Sequence, residues 1–89
     1  MIKQLKSDVW RFSFTNFGSY AYLIKLKNKN ILIDTSSPEN KNELKKNLKE
    51  LKLSTHDIDI IILTHNHWDH LGGISLFLDS KFYASKKDF

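Results

Sequence analysis

Residues 58–73 read Ile58-Asp59-Ile60-Ile61-Ile62-Leu63-Thr64-His65-Asn66-His67-Trp68-Asp69-His70-Leu71-Gly72-Gly73, and the stretch changes character at its middle. Its first half, Ile58 and Ile60 to Leu63 around one Asp59, is a β-branched apolar run suited to a strand buried on both faces. From Thr64 onward it is polar, and His65, His67, Asp69 and His70 fall within six residues. A buried strand that ends in such a cluster delivers ligands to a metal.

The spacing has a direct physical reading. In extended chain, residues i and i+2 point the same way with Cβ atoms roughly 6 to 7 Å apart. His65 and His67 can therefore both reach one ion through ring nitrogens at about 2.0 to 2.1 Å. Asp69 and His70 are adjacent and diverge, so a turn after Trp68 is needed to bring them onto a common ion. Two ions side by side follow, able to share one hydroxide and to clamp an attacking and a leaving oxygen together, which is hydrolytic chemistry. Gly72 and Gly73 suit the tight turn that must close the loop. The competing readings are loop histidines that cluster by chance and a site whose chemistry has been lost.

The run T-H-x-H-x-D-H-x-G-G, Thr64 to Gly73, resembles the signature of the metallo-β-lactamase-fold hydrolases, shared by glyoxalase II, lactonases, RNase Z and alkylsulfatases. The resemblance implies that His65 and His67 bind a first metal and that Asp69 and His70 bind a second. It implies two Zn²⁺ ions in a complete site, with iron or manganese as substitutes. Asp69 would also be catalytic, orienting the hydroxide and, if the second site is empty, passing a proton to the leaving group. The segment ILIDT resembles the family's strand that closes on an aspartate, Asp34, which supports the ligand loop by hydrogen bonding and touches no metal. A turn-initiating or capping Asp is the alternative there.

The family fold is an αββα sandwich, and the resemblance covers its N-terminal half. The expected class is α/β (α+β), one mixed β-sheet with helices packed on one face. Residues 1–89 are thus read as a truncated domain. The family completes its ions with two further histidines and a bridging aspartate from the later half, and no histidine follows His70. A truncated reading frame, a split enzyme completed by a C-terminal half, and a small protein that self-associates all fit this reading.

At 89 residues, 40% hydrophobic and 27% charged, the chain makes one small domain with a marginal core. The absence of cysteine excludes disulfides and thiolate ligands. Residues 2–11 lack an uninterrupted apolar run of the secretory kind, and no stretch is long enough to span a bilayer, so a cytoplasmic protein without membrane contact is expected. The net charge of +4 comes mostly from lysines dispersed over residues 25–29, 41–52 and 86–87. Without an aromatic-interleaved stripe they read as a solvated surface rather than a nucleic-acid site.

In chain order, Val9 to Phe14, Tyr20 to Leu26 and Ile31 to Asp34 read as three strands of an antiparallel meander. Ser37-Pro38 reads as a helix start with serine as N-cap. The helix carries an apolar stripe of Leu44, Leu48 and Leu51 and a Lys46–Glu50 pair. The crossover into Ile58–Leu63 should be parallel to Ile31–Asp34. His56 reads as a polar loop residue. A short helix from the glycines, a strand over Lys81–Ala84 and a helix start at Ser85 complete the chain. The expected function is a metal-dependent hydrolase of a small-molecule ester, thioester, lactone or phosphodiester, inactive as this chain alone. A non-catalytic assembly module and an RNase Z-like nucleic-acid processor are the alternatives.

Overall fold

The computed structural model describes residues 1–64 and 72–84. It contains one six-stranded sheet whose strands lie in sequence order: β1 (Ile2–Lys6), β2 (Val9–Phe12), β3 (Ala21–Lys25), β4 (Asn30–Ile33), β5 (Ile60–Leu63) and β6 (Lys81–Ala84). The first four pair antiparallel, and β4–β5 and β5–β6 pair parallel, so the sheet is mixed. The single α-helix, α1 (Lys41–Glu50), follows a 3-10 turn at Pro38–Asn40 and makes the crossover between β4 and β5. The helix on one face and the parallel crossover are as the sequence predicts.

Register sorts the side chains. Trp10 pairs with Leu23, Leu23 with Leu32, and Leu32 with Ile61, which puts these residues on one face of the sheet. Phe12, Ala21, Leu23, Leu32 and Ile61 on that face are fully buried, and they form one core with Leu44 and Leu48 of α1, Ile58, Leu63 and Phe77. Leu51 packs at its margin, as a third member of the predicted stripe should. The opposite face carries Val9, Ile24, Ile31, Ile33, Ile60 and Ile62, and no described element covers it. Its members are half-buried, and Ile62 is 37% exposed.

Several local expectations are corrected. The run expected to be buried on both faces is a strand only over Ile60–Leu63, and it is buried on one face. Residues 2–6, which gave no pattern, form an edge strand tied to β2 through a register shift between Gln4 and Lys6. The Ser37 hydroxyl does not cap the helix: it donates to the Phe17 carbonyl at 2.6 Å, and Ser37 is fully buried. Asn47 joins Leu44 and Leu48 on the buried side of α1. The Lys46–Glu50 pair does not form among the described residues. The turn after the glycines is a 3-10 turn at Ile74–Leu76, and the helix start expected at Ser85 lies outside the described residues.

Helix α1 stops without glycine. Lys52 adopts the left-handed conformation at φ 64°. The Lys52 amide donates to the Lys49 carbonyl and the Leu53 amide to the Leu48 carbonyl, both at 2.9 Å. This double return satisfies the last carbonyls and turns the chain toward β5.

Candidate metal centre

Parallel strands expose their carboxyl ends at one rim of the sheet, and that rim is where sites form in sheets backed by helices. Here Asp34 directly follows β4 and Thr64 directly follows β5. The Asp34 amide extends the parallel ladder by donating to the Ile62 carbonyl at 2.9 Å. Asp34 is 5% exposed and left-handed at φ 63°. Its two carboxylate oxygens both accept from Thr64: Oδ1 from the backbone amide at 2.9 Å, Oδ2 from the hydroxyl at 2.6 Å. Thr64 is the residue immediately before His65. A buried carboxylate thus fixes the backbone at the entrance to the histidine loop.

The other end of the loop is fastened to the same segment. The Gly72 amide donates to the Ser36 carbonyl at 2.7 Å, and the Gly73 amide donates to the Thr35 hydroxyl at 3.0 Å. Residue 72 must be glycine, because a Cβ there would lie 2.0 Å from the Pro38 nitrogen. Residues 34–37 therefore form a buried polar platform that holds both stems of residues 65–71. Ser36 is also left-handed, at φ 64°.

Asn40 locks the platform to a neighbouring loop. Fully buried, it directs Nδ2 at the Asn16 carbonyl (3.1 Å), Ser36 Oγ (3.0 Å) and Ser37 Oγ (3.2 Å). Its Oδ1 accepts from the Asn16 amide at 3.2 Å. Thr35, Ser36 and Asn40 were not singled out by sequence reasoning, and Ser37 was read only as a helix cap. The one available signal was an unbroken polar run directly after an apolar strand, and such runs ordinarily read as surface loop.

Of the expected site residues, the structure places Asp34, where its hydrogen bonds suit support of the loop. His65, His67, Asp69 and His70 lie outside the described residues. Among the described residues no group of three or more His, Asp or Glu side chains could hold a metal. His56 sits at the opposite end of β5 from Thr64, in a 3-10 turn at Thr55–Asp57, with Nδ1 2.5 Å from Asp79 Oδ2. A cavity of about 520 Å³ lined by Lys45, Lys46, Lys49, Leu53, Ser54 and Thr55 shares no residue with the platform.

With this geometry in place, comparison with known proteins is decisive. The sequence profile of the metallo-beta-lactamase superfamily matches residues 14–86. The chain belongs to the metallo-beta-lactamase superfamily. Over 59 residues, 66% of its length, it is 46% identical to a probable metallo-hydrolase of Methanocaldococcus jannaschii, and the match covers 29% of that protein. Over 67 residues, 74% of the chain and 22% of the relative, it is 42% identical to the beta-lactamase-like protein 2 homolog of Caenorhabditis elegans. The subclass B3 metallo-beta-lactamase of Bradyrhizobium japonicum superposes on 98% of the chain with a TM-score of 0.84 at 29% identity, using 33% of that enzyme. The chain thus spans between about a fifth and a third of the length of these three proteins. No helix among the described residues is long and apolar enough to cross a membrane.

Proposed function

We propose that this superfamily chain is the ligand-bearing N-terminal half of a dinuclear metal-dependent hydrolase acting on a small-molecule ester, thioester, lactone or phosphodiester. The observation that carries this reading is the grip of Asp34 on Thr64 through both carboxylate oxygens. Buried carboxylates beside ligand loops orient metal-binding histidines, and a loop with no such task has no need of a brace at each stem.

The residues present fit metal binding. Three imidazoles and a carboxylate are the donors zinc takes, and the flanking residues Thr64 and Gly73 are each held by hydrogen bonds to residues 34–35. His65 and His67 would hold one ion, Asp69 and His70 the second. When bound, the ions would lower the pKa of a water toward 7 and polarise the substrate. Asp69 would orient the attacking water and, with the second site empty, could pass its proton to the leaving group. A catalytic zinc ordinarily takes three protein ligands, so a completing half supplies the remainder.

The test is hydrolysis by this chain fused to the portion of the Methanocaldococcus jannaschii relative that follows its matched segment. Substrates would be chromogenic esters, a thioester, a lactone, a phosphodiester and a β-lactam. Turnover should vanish with chelator, return with zinc and fall at least about 100-fold in Asp69→Asn. A zinc-loaded fusion that hydrolyses none of the panel contradicts the proposal. The open apolar sheet face favours a second reading, a non-catalytic assembly module. In that case chelator and His67→Ala leave association unchanged and no turnover is found.

A further inference from the structure

The uncovered sheet face has a charge pattern as well as an apolar centre. None of the six strands contains an Asp or Glu. Register places Lys3 beside Arg11 and Lys6 beside Val9 at the β1–β2 margin, and Lys81 beside Ile60 at the β6 margin, all on the uncovered face. Between them lie Val9, Ile24, Ile31, Ile33, Ile60 and Ile62. The face is an apolar strip with cations along both rims.

Arg11 is the informative member. It is half-buried, its guanidinium carbon stands 4.8 Å from the centre of the Tyr20 ring, and its Nε is out of water with no acceptor among the described residues. Any layer that closes over this face removes the rest of the guanidinium from water. Burying an unpaired charge is strongly unfavourable, so the covering layer must bring an acceptor to Arg11. Among the described residues, the strands of a second copy stacked on the same face would bring no carboxylate, only Lys3, Lys6, Arg11, Lys81 and the neutral hydroxyls of Tyr22 and Tyr83.

We propose that the uncovered face is complementary to a β-layer with an apolar centre and carboxylates along its rims, carried by the completing half, and that its cationic rims exclude a second copy of this chain. The inference rests on the reading that this face is the interior of a sandwich. It specifies the chemistry of the layer that fills it, with a carboxylate opposite Arg11.

A defined probe is a copy of the chain carrying Lys3→Glu, Lys6→Glu, Arg11→Glu and Lys81→Glu. That copy keeps the apolar strip and reverses its rims. Each reversal lowers the net charge by two, so the copy moves from +4 to −4. A control copy with Lys45→Glu, Lys46→Glu, Lys49→Glu and Lys52→Glu has the same net charge with its acids on the helix. Fluorescence titration and sedimentation, with chelator present, would compare the pairs after circular dichroism has verified folding. The wild-type chain should bind the rim-reversed copy at least about tenfold more tightly than it binds itself or the control, with the preference lost at high salt. Ile33→Asp in the probe should abolish the preference. Arg11→Met in the otherwise wild-type chain keeps the fold readable if the fourfold variant does not fold, and it should strengthen self-association. Equal affinity of the wild-type chain for itself, for the probe and for the control overturns the proposal, as does unchanged self-association of Arg11→Met. Because chelator is present throughout, these outcomes are independent of whether the hydrolase assay succeeds.

Discussion

Both oxygens of Asp34 are spent on Thr64, so substitution there separates charge from hydrogen bonding. Asp34→Ala removes both acceptors and leaves a residue poorly suited to φ 63°, and it should cost about 2 to 3 kcal/mol in urea denaturation. Asp34→Asn keeps an oxygen to accept from the Thr64 amide, offers Nδ2 as a donor to the Thr64 hydroxyl oxygen, and tolerates the left-handed backbone, so it should cost less. If Asp34 also steadies the ligands, zinc affinity should fall about 10- to 100-fold in the alanine variant. Gly72→Ala drives a methyl into the Pro38 backbone, and a loss of at least about 3 kcal/mol is expected. At this scale the sequence was legible where a motif marks the residue. The aspartate closing ILIDT and the paired glycines after the histidines were readable from the motifs they belong to, although their partners Thr64, Ser36 and Thr35 are distant in the chain. Asn40 belongs to no such motif, and its partners Asn16 and Phe17 are brought to it only by folding.

Alternation in β5 decides which face of the sheet is core. Ile61 is fully buried under α1 and Ile62 is 37% exposed, although the two residues are chemically identical. Ile61→Ala should cost about 2 to 4 kcal/mol in the isolated chain, and Ile62→Ala under about 1 kcal/mol, by chemical denaturation. Nothing in the run Ile60–Leu63 announces that difference. A strand apolar on both faces is written for two packed layers, and only one is described here. The helix end was equally hidden, because Lys52 occupies the left-handed position where glycine is the readable signal. Lys52→Gly should raise the melting temperature, with a gain of up to about 1 kcal/mol. In the turn before β5, hydrogen bonds from the Ser54 amide and hydroxyl hold the Asp57 carboxyl below the ordinary aspartate value. A lowered carboxylate pKa favours the folded state above the unfolded value and loses that contribution as pH falls through the folded one. Asp57→Asn should therefore lower the neutral plateau of the stability profile and flatten its acid limb, with little change at the acid end.

At the scale of the whole molecule, a small sheet with one covered face has limited surface to bury, so the open face dominates its behaviour. The mixed order, the parallel crossover and the helix-backed face followed from hydrophobic period and connection length. The open face did not follow from those periods, which read the central strand as buried on both faces; the resemblance to half of a sandwich implied it. The subclass B3 enzyme of Bradyrhizobium japonicum superposes on 98% of the chain with 33% of its own length. What joins the levels is the rim where β4 and β5 end: packing on one face sets the strands, the strands set Asp34 beside Thr64, and that brace sets the start of the histidine loop. The most direct test is calorimetric titration of zinc into the wild-type chain and into a variant with His65→Ala and His67→Ala. Saturable binding by the wild-type chain that is lost in the variant is the expected result. Binding that survives both substitutions, or its absence from the folded wild-type chain, would contradict a metal centre built on residues 65–70.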